Sequence, residues 1–405
     1  MNYAPELTGI GKYTGEMGSW FAQRGHKVAV VTAMPYYPEW RVHKDYSKRG
    51  WHKEIIDNAE VFRVPIYVPK NVNSVKRIIH ELSFIVSVFP IWFTFLFKRK
   101  YDIVVNINPP FHLGLYPFLY SKLRNAKLVT HIQDLQIDAA KDLQMIKNKA
   151  LLNFMFKFEK SLLQRSDMVT SISIGMRRKI IAKQVPEDKF RMFPNWVDSK
   201  VITPLSQRES LRIEWGIPFS DKVILYAGNL GEKQGLESII TIAERLKNLT
   251  NVHFVIVGSG AGREKLEGLA IGKGLSNVKF FPLQPYEKLS ALLASADLHL
   301  VLQKKSASDL VMPSKLTSIL ASGGCAIVTA IPGSSLYDVI HENTLGILTE
   351  PENEEALMAG ILTALNSDLK KYRDNARNYA ATNLDKNQIL TRFEKDLQEL
   401  TDSKK

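Results

Sequence analysis

The stretch KVILYAGNLGEKQG, residues 222–235, joins a short apolar run to a glycine-rich turn, and a helical pattern, Leu236–Leu249, follows it. The run Lys222–Ala227 predicts a strand that is buried on both faces. Glycines in Gly228–Gly235 let a ligand approach the backbone closely, and free N–H groups at a helix start suit phosphate. The stretch therefore predicts a strand–loop–helix unit with an anion-competent loop, although a purely structural turn would read the same way.

The rest of the C-terminal half repeats this alternation. Between its apolar runs lie helical patterns such as Gly262–Ile271 and Glu287–Ser295. Strands that alternate with helices of this length indicate βαβ units and a parallel sheet. The predicted strands are Lys222–Ala227, Val252–Val257, Val278–Pro282, Leu298–Leu302, Cys325–Thr329 and Gly346–Leu348.

The N-terminal half alternates less regularly, and a chain of 405 residues is long enough for two domains. A boundary near Pro194–Pro204 predicts an N-terminal domain over 1–198 and a C-terminal domain over 199–383. The last residues, 384–405, form a helical pattern that could pack back on the first domain. The strands predicted for the N-terminal half are Val28–Thr32, Val61–Tyr67, Ile103–Asn106, Leu128–His131, Met168–Ile172 and Phe190–Phe193.

A second anion-competent segment, Ser306–Lys315, follows the predicted strand Leu298–Leu302. Pro313 suits the first turn of a helix, so the N–H groups of Ser314, Lys315 and Leu316 are expected to point out of the helix start. The Lys315 ammonium adds a cation beside them. A structural helix cap is the alternative for this segment. Gly258 opens a third glycine-rich turn, which we expect to line the same cleft.

Composition excludes several classes of protein and site. Cys325 is the one cysteine, so a disulfide framework and a cysteine-based metal site are both impossible, which fits a reducing cytoplasm. The sequence contains no HExxH, no P-loop and no nucleophile elbow. We also find no recognisable nucleic-acid module, so no nucleic-acid partner is expected.

The net positive charge is confined to the N-terminal half of the chain. Residues 1–199 hold 30 Lys and Arg against 17 Asp and Glu, whereas residues 200–405 hold 24 of each. Within the basic half, aromatic residues between Arg77 and Lys100 are bracketed by cations, which suits an anionic membrane surface at Lys76–Lys100. A buried helix pair is the alternative. The apolar run Leu82–Phe97 is too short to predict a membrane span.

The chain opens with Gly9, Gly11 and Lys12 in what we interpret as a loop before a helix, Tyr13–Arg24. Such a glycine-bearing loop normally follows the first, central strand of a Rossmann-like sheet, and no such strand precedes it. We therefore expect either a late annotated start or a fragment, with the true N-terminus upstream of Met1. His131 and Asp134 follow another predicted strand, although a histidine there is often structural.

These motifs together resemble the family 4 retaining glycosyltransferases of the GT-B fold. Asn2–Tyr13, Pro35–Pro38 and Pro313–Thr317 carry the resemblance, which spans essentially the whole chain. It implies an α/β protein of two Rossmann-like, doubly wound domains that face each other across a cleft, with the first strand of the N-domain missing. The family's acceptor-side His or Asp matches His131 or Asp134 loosely, which makes them, with Lys315, the expected catalytic residues.

The resemblance also implies binding roles, residue by residue. Donor binding falls on Gly228, Asn229, Lys233, Gln234, Gly258, Pro313, Ser314, Lys315 and Leu316, and acceptor binding on Gly9, Gly11 and Lys12. Two departures affect the donor side. Asn229 and Gln234 stand where the family has the Arg and Lys that bind the diphosphate, with Lys233 one residue early. The family's acidic pair would fall at Leu310 and Ser318, neither of which is acidic. Asp309 lies one residue before the first of these positions. More weight therefore falls on Lys315.

The implied reaction transfers fucose from GDP-fucose to an undecaprenyl-diphosphate-linked oligosaccharide, for a colanic acid-like exopolysaccharide. Protein cations and helix dipoles are expected to replace a metal, so no cofactor is implied. The expected location is the cytoplasm, peripheral at the inner face of the cytoplasmic membrane. A nucleotide-sugar epimerase of the same fold and a non-catalytic partner in an assembly complex are the alternatives.

Overall fold

The computed structural model describes residues 1–405 except 7–8, 47–49, 72–73, 143–145, 147, 232–233, 306–312 and 403–405. Its contacts divide the chain into two compact units. Unit 1 contains Met1–Ile172, Met176–Phe193 and the chain from Leu390 onward, and unit 2 contains Ser173–Gly175 and Pro194–Ile389.

The first thirteen elements form two sheets and their flanking helices. In chain order they are α1 (Gly9–Gln23), β1 (Ala29–Ala33), β2 (His52–Ile56), β3 (Ala59–Val64), α2 (Ser74–Lys98), β4 (Ile103–Asn108), α3 (Leu115–Arg124), β5 (Lys127–Ile132), α4 (Gln136–Asp142), α5 (Lys149–Arg165), β6 (Met168–Ser171), α6 (Ile174–Ala182) and β7 (Phe190–Met192). One sheet has the order β1-β3-β2 and the other the parallel order β4-β5-β6-β7.

Strand β2 is absent from the sequence-based prediction. It pairs antiparallel with β3 through a two-residue turn, Asp57-Asn58, whose residues have φ of 46° and 67°. Asp and Asn tolerate this left-handed conformation, which is typical of a tight hairpin turn. The residues His52–Ile56 do not alternate apolar with polar in the sequence, so the Asp-Asn pair that follows them was the signal that could have found the hairpin.

Unit 2 contains one sheet covered by helices. Its strands follow the parallel order β10-β9-β8-β11-β12-β13, in which the chain starts in the middle and works outward to both edges. The remaining elements of the chain are β8 (Lys222–Ala227), α7 (Glu237–Arg245), β9 (Val252–Val257), α8 (Arg263–Gly272), β10 (Val278–Phe281), α9 (Leu289–Ala294), β11 (Leu298–Val301), α10 (Ser314–Ala321), β12 (Ala326–Thr329), α11 (Ser335–Asn343), β13 (Gly346–Thr349), α12 (Glu354–Leu365), α13 (Lys370–Asn383) and α14 (Lys386–Asp402).

The six strands predicted for this half are all present, with ends shifted by at most one residue. Continuous apolar runs such as those of β9 and β12 are buried on both faces, because helices cover the sheet on both sides. Parallel strands bring the loops that follow them to one edge, so the loops after β8, β9 and β11 start at the same side of the sheet.

The C-terminal helix α14 begins in unit 2 and ends in unit 1. Phe393 stacks on Phe193, with ring centres 4.0 Å apart. The carboxylate of Glu394 accepts hydrogen bonds from the guanidinium of Arg24 and lies 2.7 Å from His26 Nε2. The end of the chain is thereby tied to the turn between α1 and β1.

Two expectations about the N-terminal half need correction. Helix α1 begins at Gly9, so Gly9 and Gly11 belong to the first turn of the helix rather than to a loop before it. The apolar run Leu82–Phe97 extends into a helix of 25 residues, α2. The segment Val75–Lys98 is thus long and apolar enough to cross a membrane by length and composition alone. Its residues Phe84, Val88 and Phe95, however, are buried in the core of unit 1.

Candidate functional site

The loops after β8 and β9 lie directly against each other. Leu230 N–H donates to Ser259 O at 2.9 Å, and Gly262 N–H donates to Leu230 O at 2.8 Å. Gly258 has a φ of +154°, and a Cβ there would lie 1.9 Å from Gly228 O. Glycine at 258 is therefore required by the contact between the two loops. The predicted donor-binding roles of Gly228 and Gly258 stay predictions.

Lys315 lies in the first turn of α10 and reaches the loop after β8. Its Nζ is 3.7 Å from the centre of the Tyr226 ring, and a Cβ at Gly228 would lie 3.3 Å from this nitrogen. The nitrogen has almost no exposed surface and makes no hydrogen bond to any described residue. Its burial lowers the pKa of Lys315 to about 7.

The start of α10 offers fewer free donors than the sequence predicts. Pro313 precedes the helix with a φ of −61°, the value that its ring imposes. Leu316 N–H, however, donates to Pro313 O at 3.0 Å, so the expectation that this group is free is wrong. The N–H groups of Ser314 and Lys315 belong to the first turn, where a helix supplies no acceptor of its own. Within the described part of the chain, these two N–H groups and the Lys315 amine have no acceptor or donor partner outside the helix and are available to a ligand.

The loop after β8 adds amide groups to this site. The Asn229 side chain is exposed, and its backbone carbonyl accepts a hydrogen bond from the Tyr226 hydroxyl at 2.8 Å. Gln234 Oε1 is buried and has no hydrogen-bond partner among the described residues. Lys233 lies outside the described residues, as does the whole segment 306–312, which includes Asp309 and Leu310.

This arrangement is suited to an anion. A buried amine without a partner is costly, because desolvation disfavours its charged form. A phosphate group beside Lys315 would restore the lost interactions, and the helix start would add its positive dipole end. The Lys315 amine also lies beside Gly228, where the absence of a Cβ leaves room next to the amine. Among the described residues, no group of three His, Cys, Asp or Glu is placed to hold a metal ion.

The predicted acceptor-side residues lie in unit 1, at the end of β5. His131 is buried, with Nδ1 2.8 Å from Thr170 Oγ1 and Nε2 2.8 Å from the Gln133 side-chain nitrogen. Burial lowers its pKa to about 3, so the ring is neutral at physiological pH. Both ring nitrogens are thus engaged, which favours the structural alternative for His131. Asp134 is half-buried just after the strand.

The helix start at Gly9 is organised by a residue that sequence reasoning missed. Glu6 is buried, and its Oε1 accepts hydrogen bonds from the backbone N–H groups of Tyr36 and Tyr37, each at 2.9 Å. A Cβ at Gly11 would lie 2.8 Å from the Glu6 side chain, so glycine there makes room for this carboxylate. Lys12 Nζ lies 4.0 Å from Oε1 of Glu16, one turn along the helix. No local signal marked this role of Glu6, because its partners lie about 30 residues away in the sequence.

Two family models match this chain. "Glycosyl transferase 4-like domain" matches residues 8–196, and "Glycosyl transferases group 1" matches residues 207–383. Among curated proteins, the chain is 42% identical over 405 residues to "Putative colanic acid biosynthesis glycosyl transferase WcaI" of Escherichia coli K12, covering 98% of both chains. It is 22% identical to the N-acetyl-alpha-D-glucosaminyl L-malate synthase of Bacillus anthracis, covering 85% of this chain and 81% of that one.

Solved structures agree with the fold. A sucrose-phosphate synthase from Thermosynechococcus elongatus has a TM-score of 0.75 at 17% identity, covering 98% of this chain and 94% of that chain. Anabaena Alr3699/HepE, solved in complex with UDP and glucose, has a TM-score of 0.70 at 15% identity and 98% coverage of both chains. Together with the E. coli relative and the two family models, this fold shows that the chain belongs to the family 4 glycosyltransferases and has the GT-B fold.

Proposed function

We propose that the enzyme transfers fucose from GDP-fucose to a hydroxyl of an undecaprenyl-diphosphate-linked oligosaccharide, in the assembly of a colanic acid-like exopolysaccharide. The observation that supports the donor side is the buried amine of Lys315 at the start of α10, which makes no hydrogen bond to any described residue. The exopolysaccharide rests on the name of the E. coli relative, which concerns colanic acid biosynthesis.

The proposed chemistry places the donor diphosphate against Lys315. When the bond between the sugar and the diphosphate breaks, negative charge develops on the leaving phosphate oxygens. The Lys315 ammonium and the N–H groups of Ser314 and Lys315 are fixed in position before the reaction, so they stabilise this charge without reorganising. The exposed Asn229 amide is available for the same diphosphate. On this proposal no metal is needed, because the chain's own cation and helix start supply the positive charge.

The first experiment identifies the donor by thermal shift with a panel of nucleotide sugars. A ligand that binds the native state raises the melting temperature, and GDP-fucose should give the largest rise. A rise in melting temperature with a UDP-sugar and none with GDP-fucose would show that GDP-fucose is not the donor. Transfer from that donor to a lipid-linked acceptor is then measured with EDTA present, which should leave the rate unchanged.

The second experiment replaces the cation. Lys315→Met keeps most of the length of the side chain and removes the charge, so we expect a loss of kcat of about 100-fold or more with the fold intact. Lys222→Met is the matched control, because Lys222 lies at the opposite end of β8 and is about half-exposed. Normal turnover in Lys315→Met would contradict the proposal. Conversion of the donor without an acceptor would instead indicate an epimerase, and donor binding without turnover a non-catalytic partner.

We further propose that the enzyme works in the cytoplasm, docked on the inner face of the cytoplasmic membrane through α2. Apolar side chains recur every three or four residues along one face of this helix and are exposed. They are Val75, Ile78, Ile79, Leu82, Val86, Phe89, Phe93 and Phe97. Lys98 and Lys100 at its end are exposed as well. An apolar face with flanking cations suits an anionic leaflet, which is where a lipid-linked acceptor would be met.

Vesicle sedimentation tests this docking. Binding to vesicles with anionic lipid should exceed binding to neutral vesicles and fall with salt. Replacing Phe89, Phe93 and Phe97 together by serine should reduce vesicle binding at least tenfold, while hydrolysis of the donor in solution persists. The matched control replaces Ile213 and Ile271 by serine, since both are strongly exposed in unit 2. Equal binding of both variants would rule out α2 as the docking surface.

A further inference from the structure

Glu81 lies near the start of α2, and three polar side chains surround its carboxylate. Gln136 Nε2 donates a hydrogen bond to Glu81 Oε1 at 3.0 Å, and Arg77 Nε lies 3.5 Å from the same oxygen. His112 Nε2 lies 3.9 Å from the other oxygen, Oε2. We call these four residues, which all belong to unit 1, the Glu81 cluster.

The Glu81 cluster lies at the edge of the unit 1 sheet where a ligand is expected. His112 belongs to the short 3-10 turn Phe111–Gly114 after β4, and Gln136 begins α4 after β5. Strands β4 and β5 are parallel, so the segments that follow them start at the same edge. Open α/β sheets bind their ligands at this carboxyl edge.

Two atoms of the cluster are buried with their hydrogen-bonding capacity unused. His112 Nε2 and Gln136 Oε1 have no exposed surface and make no hydrogen bond to any described residue. Burial lowers the pKa of His112 to about 4, so its ring is neutral at physiological pH and attracts the carboxylate only weakly. The gap of 3.9 Å between His112 and Glu81 is too long for a hydrogen bond, but one hydroxyl oxygen at about 2.8 Å from each atom would bridge it.

The chemistry of these groups indicates the class of ligand. The Glu81 carboxylate and Gln136 Oε1 are acceptors, and a neutral imidazole nitrogen either donates or accepts. Burial raises the pKa of the Glu81 carboxyl, so a ligand that donates hydrogen bonds to the carboxylate replaces the hydration that it has lost. The neighbouring hydroxyl groups of a sugar donate and accept at once and match all three groups. A phosphate is a poor match, because the carboxylate would repel it.

We propose that the Glu81 cluster is a binding subsite for a neutral sugar of the acceptor oligosaccharide, which it holds through the hydroxyl groups of the sugar. Glu81 and Gln136 accept hydrogen bonds from these hydroxyls, and one hydroxyl bridges Glu81 and His112. The inference rests on the proposed function, in which the acceptor is a lipid-linked oligosaccharide. Ile78 and Leu82, on the exposed apolar face of α2, flank Glu81 in the helix, so a sugar bound there would lie near the proposed membrane surface.

Two substitutions test the subsite, and a third is their control. Glu81→Gln keeps the shape of the side chain and removes its charge. His112→Phe keeps a ring and removes the nitrogen, and it should melt no lower than the parent, because His112 makes no hydrogen bond to any described residue that could be lost. The control is Glu187→Gln, since Glu187 pairs with Arg177 at 3.2 Å on the exposed surface of unit 1, ahead of β7 and so at the opposite edge of the sheet.

Initial rates of transfer are measured with lipid-linked oligosaccharide purified from membranes as the acceptor. We expect the KM for this acceptor to rise about tenfold or more in Glu81→Gln and in His112→Phe, because each variant loses at least one hydrogen bond to the sugar. The Kd for the donor should stay at the parent value in both variants. Glu187→Gln should match the parent in both quantities.

An acceptor KM that is unchanged in both variants would show that the cluster holds only water, and it would overturn the inference while leaving the proposed function in place. A rise in the donor Kd without a rise in the acceptor KM would assign the cluster to the donor and would overturn the inference as well. A parent enzyme that binds the donor but transfers to no lipid-linked oligosaccharide would overturn the proposed acceptor and this inference with it.

Discussion

The side-chain nitrogen of Lys315 lies 3.7 Å above the centre of the Tyr226 ring and makes no hydrogen bond to any described residue. The ring face stabilises the ammonium, but by less than the hydration that the ammonium loses when it is buried. The protein therefore holds this amine at a cost in free energy of unfolding. Such a cost is typical of a group kept for a ligand rather than for the stability of the fold.

The first prediction concerns that cost. The folded-state pKa of Lys315 is about 7, against 10.5 for the free side chain, so the unfolded state binds more protons between these pH values. The free energy of unfolding therefore rises with pH through this window, and the full cost is present below pH 7. Lys315→Met removes the cost, so we expect the variant to be more stable by about 2 kcal/mol or more at pH 7.

Urea unfolding at pH 6.5 and at pH 9.5 measures this difference. The gap between the variant and the parent should shrink at the higher pH. Lys222→Met, in which the lost amine is about half-exposed, should show no such pH-dependent gap. A Lys315→Met variant that is less stable at both pH values would show that the amine stabilises the fold.

The second prediction concerns donor binding and pH. A diphosphate beside Lys315 favours the charged amine and raises its pKa, so binding takes up a proton when the pH is above about 7. The diphosphate of the donor has no proton to exchange in this range. Its Kd should therefore rise with pH by up to about tenfold per unit above pH 7 and stay flat below it.

Calorimetry in buffers of different ionisation enthalpy counts the proton directly. Near one proton should be taken up per donor at pH 8.5. Lys315→Arg stays charged at every pH in this range, so its Kd should not change with pH. If the Kd of the parent enzyme does not change between pH 7 and 9, the Lys315 amine does not contact the diphosphate.

The third prediction concerns the packed loops after β8 and β9. Gly258→Ala would place a Cβ 1.9 Å from Gly228 O at a φ of +154°, so backbone must move. We expect a loss of stability of about 3 kcal/mol or more and weaker donor binding. Gly268→Ala is the control, because Gly268 lies in α8 with open space around it and alanine favours a helix. Chemical denaturation should show Gly268→Ala to be as stable as the parent or more so.

Much of unit 2 could be predicted because apolar runs alternate regularly with helical patterns along its sequence. The strands β8 and β9 are mainly apolar runs between turns, with Lys222 and His253 as their polar members, and burial on both faces favours that pattern. The position of Lys315 at a helix start followed from proline at 313. That its nitrogen makes no hydrogen bond to any described residue could not be predicted, since this depends on which groups the fold brings near it.

Unit 1 was harder to predict because its contacts join distant parts of the chain. Glu6 takes its role from the N–H groups of Tyr36 and Tyr37, which lie 30 residues away. His131 looked reactive by its position after a strand, and only the surroundings show that both its ring nitrogens are engaged. Charge and periodicity carry no information on such pairings. The sequence is therefore least informative about the partners of buried polar side chains.

The fourth prediction concerns the contact that holds the C-terminal helix to unit 1. Glu394 is 7% exposed and accepts hydrogen bonds from both Arg24 Nε and Arg24 Nη2. These bonds, with His26 beside them, hold the pKa of Glu394 below its usual value. Because the folded-state pKa is the lower one, the stabilisation is present above the unfolded pKa of about 4.3 and is lost as the pH falls through the folded value.

Glu394→Gln should therefore cost about 1–3 kcal/mol at pH 7 and nothing at a pH below the folded value. The amide keeps the shape of the carboxyl group, so the loss reports charge and hydrogen bonding rather than packing. Glu399→Gln in the same helix is the control, because its ion pair with Lys395 is exposed and should contribute less than about 0.5 kcal/mol. If urea unfolding gives equal values for the two variants at pH 7, Glu394 does not anchor the helix, and the stacking of Phe393 on Phe193 holds it instead.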